Sequence, residues 1–300
     1  MPHDYKHTML KMISIFSVVR GYNITLIVLA QYLASIFIMG YQIPMIDVLL
    51  DAQLFLIVLA TVGSVAAGYI INNFYDFEKD LINRPHKSKL DRMVSQRTKL
   101  SLYVVLNGVV LFLMSFVSMR AVLFFGSYVF AIWLYSHKLK KLPVLGNLTS
   151  AFLSITPFFA ILLYFQNYNE LIFILGFYLF LILSIRELVK DLENIKGDLA
   201  LDYKTVPVVH GEKLTKHMIT LLIGLNLIVT VLILYYFSMG LMIFFFGGSI
   251  VALIVLLAMV WKAQSSRQYN RIHILIKGLI FAGVLSIMLL NPSLIIDKLF

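Results

Sequence analysis

Nine apolar stretches, each able to cross about 30 Å of hydrocarbon at roughly 20 residues apiece, leave this chain few choices of fold. They fall near residues 15–38, 50–72, 99–118, 120–136, 147–166, 170–189, 217–237, 240–261 and 272–290. Backbone groups inside a bilayer must be bonded within their own segment, so stretches of this kind form helices. The expected fold is all-α, a polytopic membrane protein of nine transmembrane helices in a single domain over residues 1–300. Composition agrees, with 60% hydrophobic and 13% charged residues against about 25% charged in a soluble domain. The segment MPHDYKHTMLKM is polar and basic, but the apolar run behind it has no small-residue cleavage site, so it reads as a retained first span.

A net charge of +10 would suggest nucleic acid in a soluble chain. Here the cations gather in particular loops. Lys79, Arg84, Lys87, Lys89, Arg92, Arg97 and Lys99 follow the second span, Lys138, Lys140 and Lys141 the fourth, and Lys190, Lys196, Lys204, Lys213 and Lys216 the sixth. Lys262, Arg267 and Arg271 follow the eighth. With alternating spans all of these share one side, while Asp47, Asp51, Arg120, Glu170, Asp297 and Lys298 share the other. The bias places the amino terminus in the cytoplasm and the carboxyl terminus outside, and no nucleic-acid partner is expected. The absence of Cys excludes thiolate metal centres and disulfides.

Two stretches carry acids where a span ends. Ile71 to Arg84 reads INNFYDFEKDLINR, and Asn72, Asp76 and Asp80 recur every four residues. On a continuing helix they stay within an arc of about 80°, at roughly 100° per residue. Arg186 to Asp198 reads RELVKDLENIKGD, with Asp191, Asn194 and Asp198 at i, i+3 and i+7. Glu187, one turn before Asp191, has Arg186 and Lys190 as neighbours to pair with; Gly197 suggests that the helix loosens just before Asp198. The bland reading is a helix end whose acids are solvated or paired with Lys79 and Arg84, but acids at a helix carboxyl end oppose the macrodipole by about 0.3–1 kcal/mol each. Four carboxylates at one end of a bundle also repel one another unless cations bridge them. Mg2+ suits oxygen ligands shared with a substrate phosphate, so Asn72, Asp76, Asp80, Asp191, Asn194 and Asp198 are candidate ligands and a diphosphate the candidate anion. Arg84, Lys138 and Lys204 could hold its oxygens, although topological anchoring accounts for any one of them. Phe74, Tyr75, Phe77, Tyr135, Phe158, Phe159 and Tyr178 are mostly lipid or packing contacts, a few of which could shelter a carbocation.

These residues resemble a known family. NNFYDFEKDLINRP is similar to the first Asp-rich motif of the UbiA superfamily of intramembrane prenyltransferases, and RELVKDLENIKGD with KTVPVVHG to the second. YSHK at Tyr135 to Lys138 and RGYN with Arg20 and Asn23 match further recurring positions. Asn73 and Asn194 stand where many members carry an acid; both remove negative charge, yet an amide still ligates through its carbonyl. The resemblance implies nine helices around a cavity opening to the cytoplasm and sideways to lipid. Mg2+ there would bind a polyprenyl diphosphate, and the departing diphosphate would leave an allylic cation to alkylate a lipophilic acceptor. Asp76, Asp80, Asp191 and Asp198 would carry the chemistry, Arg84, Lys138, Lys190 and Lys204 would contact substrate, Tyr135 would neighbour the reacting centre, and Arg20 with Asn23 would serve the acceptor.

The wording KDLENIKGD and TVP looks most like members that attach geranylgeranyl to geranylgeranylglyceryl phosphate. An aromatic acceptor such as 4-hydroxybenzoate or a quinone precursor is the alternative. A secondary transporter is the rival from another class, but it calls for charge near the midplane and broken helices in both halves, whereas these acids lie at one face.

Overall fold

The computed structural model describes residues 13–290. Expectations for the amino-terminal segment and for Asp297 and Lys298 lie outside the described residues. Nine helices long and apolar enough to span a membrane are present among them, with no strand. They are α1 (Gly21–Ala34, continued by a wider turn over Ser35–Met39), α2 (Ala52–Tyr75), α3 (Gln96–Ser115), α4 (Met119–His137) and α5 (Leu145–Phe165). The remainder are α6 (Glu170–Ala200), α7 (Val206–Tyr236), α8 (Ile243–Lys262) and α9 (Ser266–Ser286). The chain is a multi-pass integral membrane protein.

Local chemistry explains the starts. Asp51, Ser95, Ser118 and Asn169 each accept a backbone N–H in the first turn of α2, α3, α4 and α6, and Ser265 with Gln268 forms a reciprocal cap on α9. In hydrocarbon, helix association draws on close packing and on buried hydrogen bonds more than on removal of apolar surface from water. One core joins α6 to α9 through Ile185, Val189, Ile219, Ile223, Leu253 and Tyr269. Another joins α2 to α5 through Ile57, Ala60, Val110, Met114 and Phe125. Phe112, Leu123, Leu221 and Phe244 point outward and are exposed, as lipid-facing residues should be.

Pro157 in α5 supplies no N–H, which frees the carbonyl one turn back at Leu153. Tyr128 donates to that carbonyl at 3.2 Å. Gln31 reaches the carbonyl of Pro157 at 3.0 Å and Thr61 at 3.1 Å, tying α1 to α5 and α2. The fault in one helix becomes the joint of four.

The sequence placed spans six and seven at 170–189 and 217–237. Both helices run further, and α6 with its 31 residues is about 46 Å long at 1.5 Å per residue, beyond a roughly 30 Å core. The polar extension of α6 is helical to Ala200, and the expected loosening at Gly197 does not occur. Gly197 is instead a contact point: a Cβ there would lie 2.4 Å from Asn83 Nδ2. Lacking one, the backbone N–H meets Asn83 Oδ1 at 3.0 Å. α7 does break near its start, at Gly211 with φ 80° and ψ 163°.

At the end of α2 the backbone bends at Asp76 (φ −90°, ψ 8°) into the short helices Phe77–Asn83 and Pro85–Asp91. The register survives, because Asp76 donates to Asn72, Asp80 to Asp76 and Arg84 to Asp80 at 2.8–2.9 Å. Asn72, Asp76 and Asp80 therefore keep a common face across the bend.

Candidate active site

The two acidic stretches meet. Asn72 at the end of α2, Asp76, Asp80 and Arg84 in the bend and short helix that follow, and Lys190, Asp191 and Asn194 from the projecting part of α6 line one pocket with Arg20, Lys79, Tyr135, Lys140 and Thr205. Asp198 is fully buried behind this lining, with Lys79 Nζ 3.0 Å from Oδ1 and Thr205 Oγ1 3.3 Å from Oδ2. Asn23 lines the larger cavity alongside and donates to Tyr69 Oη at 3.1 Å.

Lys138 and Lys204 do not enter the lining; both are exposed. Lys140 takes the inward place. The short turn Leu139–Lys141 after α4 buries Lys140 to 8% exposure, with Nζ 2.6 Å from Asp76 Oδ1 and 3.3 Å from Asn72 Oδ1. Tyr203 donates to the same Asp76 oxygen at 3.0 Å. The sequence singles out none of Lys140, Tyr203 and Asn147, and offers Lys79 only as a pairing partner of the acids; for Lys140 no sequence signal separates it from its neighbours, since only the turn decides which lysine faces in. Asn73, at a position where an acid was weighed, points away from the pocket and donates to Asp91 at 3.0 Å.

On α6, Glu187 accepts from Arg186 and Lys190 at 2.8 Å each, and Asp191 accepts from Asn147 at 2.7 Å. Glu193 holds His273 Nδ1 at 2.9 Å and stands 3.5 Å from Arg84. The Asp80 carboxylate has no hydrogen bond or ion pair among the described residues. Burial and the charge of Asp76 raise its pKa above the ordinary carboxylate value. Burial also works to raise Asp76, but Lys140 and Lys79 outweigh it and hold that carboxyl well below the usual range. Lys79 shows the mirror image, with burial opposing the charge and Asp76 and Asp198 raising the ammonium pKa above it. Tyr203 is raised by burial and then by Asp76.

No three His, Asp or Glu side chains among the described residues are gathered closely enough to form a ready metal cluster. The donor set nonetheless suits a hard cation: every candidate ligand offers oxygen, Asp80 and Asp191 face one pocket from opposed elements, and the Asp80 oxygens have no competing partner.

Beside the pocket lies a cavity of about 750 Å³ lined by Arg20, Arg84, Lys87, Arg186, Lys190 and Lys277, with Tyr135 and His273. It shares Leu26, Tyr69, Tyr135 and Ile280 with an apolar cavity of about 280 Å³. That one shares Ile155, Phe158 and Leu179 with a further apolar cavity of about 120 Å³ between α1, α6 and α9. A charged head region thus opens onto a greasy interior, an arrangement suited to an anion with a long hydrocarbon tail.

The fold and the site define a class: all-helical intramembrane proteins with acids and cations at the mouth of an apolar interior. The UbiA prenyltransferase family matches residues 28–282, and the chain belongs to that family and is a prenyltransferase. A digeranylgeranylglyceryl phosphate synthase from Methanobrevibacter smithii is 27% identical over 89% of this chain and 94% of its own length. The enzyme of that name from Thermococcus gammatolerans is 31% identical over 65% of this chain and 68% of its own. Among solved structures, one of a digeranylgeranylglyceryl phosphate synthase superposes with TM-score 0.70 at 19% identity, covering 93% of this chain and 97% of the other. A UbiA homolog from Archaeoglobus fulgidus bound to GPP and Mg2+ gives 0.67 at 13% identity, covering 92% and 99%. At these identities the structural likeness speaks for the fold.

Proposed function

We propose that this prenyltransferase uses Mg2+ to move a geranylgeranyl group from its diphosphate to geranylgeranylglyceryl phosphate. The observation that carries the reading is the single pocket lined by Asp76, Asp80 and Asp191 together with Arg84, Lys140 and Lys190, placed above connected apolar cavities. Asn72, Asp76, Asp80, Asp191 and Asn194 would hold the metal, with Asp198 behind them positioning Lys79. Bound Mg2+ would offset the charge of the leaving diphosphate.

In this reading Arg84, Lys140 and Lys190 bind the diphosphate oxygens and favour charge on the leaving group. The C1–O bond of the allylic diphosphate breaks, its electron pair leaving with diphosphate; the acceptor hydroxyl oxygen bonds to C1 and passes its proton to the released diphosphate. The apolar cavities hold the prenyl tail and keep water from the cation, and Tyr135, which lines both the pocket and the larger cavity, presents its ring near the reacting carbon. Two lines support the acceptor: the name shared by the relatives and the cationic lining of the larger cavity. The Lys/Arg bias of the loops supports an amino terminus and active site facing the cytoplasm.

Purified protein in nanodiscs, given geranylgeranyl diphosphate and Mg2+, is tested with geranylgeranylglyceryl phosphate, 4-hydroxybenzoate and dihydroxynaphthoate. Transfer to the glyceryl phosphate alone, abolished by EDTA and restored by Mg2+, is the expected result. Transfer to an aromatic acid instead would overturn the acceptor assignment, and turnover unaffected by EDTA would overturn the metal.

A further inference from the structure

Six cationic side chains line the larger cavity, and four have an acid nearby. Arg186 and Lys190 share Glu187, Arg84 stands 3.5 Å from Glu193, and Lys87 stands 3.7 Å from Asp91. Arg20 and Lys277 have no ion pair among the described residues. They meet aromatic rings instead: the Arg20 guanidinium lies 4.9 Å from the Tyr69 centroid and Lys277 Nζ 6.0 Å from that of Tyr22. Six cations against one lining acid, Glu187, leave the cavity with an excess of positive charge, and Arg20 at the start of α1 and Lys277 on α9, neither in an ion pair among the described residues, favour an anion between them.

Three further observations point to a ligand. Lys277 lies within an apolar span, where an ionisable side chain is expensive and functional by default. Arg20 lines both the carboxylate pocket and the larger cavity, whereas Lys277 lines only the latter, so Lys277 serves an anion beside the metal-diphosphate group and separate from it. The same cavity is lined by exposed Phe16, Tyr22 and Phe281, so the anion it suits has an apolar tail reaching the bilayer.

We infer that Lys277 joins Arg20, already expected at the acceptor, in binding the phosphate monoester of a lipid acceptor, and that Lys277 sets the preference for a phosphorylated over an uncharged acceptor. This rests on the acceptor reading above and deepens it. Lys277 touches the acceptor's phosphate and sets specificity; no bond forms or breaks on it.

Binding of geranylgeranylglyceryl phosphate and of its uncharged counterpart geranylgeranylglycerol is measured on full-length protein in nanodiscs, for wild type, Lys277→Ala, Lys277→Glu and Lys277→Arg. The expected result is a loss of about tenfold or more in Lys277→Ala for the phosphate lipid only, a larger loss in Lys277→Glu and near-complete rescue in Lys277→Arg. Binding of geranylgeranyl diphosphate with Mg2+ stays unchanged throughout. Unchanged phosphate-lipid affinity in Lys277→Glu, or equal losses for the charged and uncharged lipids, would overturn the site. Wild-type turnover is read separately: tight, Lys277-dependent binding of the phosphate lipid without its prenylation upholds the anion site and overturns the acceptor reading.

Discussion

Lys140 Nζ stands 2.6 Å from Asp76 Oδ1, joining the turn after α4 to the bend that ends α2. Both residues are buried, so neither charge is solvated if the other is removed. Truncating one partner of such a pair costs about 3–5 kcal/mol. Lys140→Met should therefore lower the thermal midpoint by several degrees and raise KM for the diphosphate. Tyr203→Phe removes a single hydrogen bond from the same oxygen and should cost only about 1 kcal/mol. Midpoints of the two variants in one detergent check the order; equal losses would show that the ammonium is not the main partner of Asp76.

Gly197 is required by the approach of Asn83. Gly197→Ala places a methyl 2.4 Å from Asn83 Nδ2, and such overpacking costs about 1–3 kcal/mol. Because this contact seats the short helix Phe77–Asn83 on α6, activity should fall more than stability does. Asn83→Ala in the Gly197→Ala background should recover part of both, and a double-mutant cycle measures the coupling. Additive effects would place the damage elsewhere.

The Asp76 carboxyl is held well below its usual range, Lys140 and Lys79 overcoming the effect of burial. A group with a depressed folded pKa contributes stability that is fully present above its unfolded value, about 3.9, and is lost as pH falls toward the folded value. The midpoint gap between wild type and Asp76→Asn should be constant from about pH 8 to pH 6 and narrow below about pH 4, by about 1.4 kcal/mol per pH unit. Thermal scans across that range check the sign, and a gap that widens in acid contradicts it.

The spans were legible because apolar length in a bilayer has one solution, and both acidic stretches stood out because they interrupt it. Asn72, Asp76, Asp80, Asp191 and Asn194 do share a pocket, as the four-residue and i, i+3 spacings suggested. Which lysine of Lys138, Lys140 and Lys141 turns inward depends on a three-residue turn, below the resolution of any periodicity. At Gly197 the sequence suggests looseness where the structure has close packing, because a glycine in sequence does not reveal what approaches it. Lys277 and His273 had a usable signal, an ionisable group inside an apolar run, that the eye passes over beside two denser motifs.

Asp80 and Asp191 reach the pocket from different helices, and the proposed reaction needs both. The most direct measurement is transfer of labelled geranylgeranyl from its diphosphate to geranylgeranylglyceryl phosphate by wild type, Asp80→Ala and Asp191→Ala at saturating Mg2+. Each variant should remain folded and lose at least about a hundredfold in kcat, as removal of a group stabilising transition-state charge does. Near-wild-type turnover by either one would contradict the shared carboxylate site.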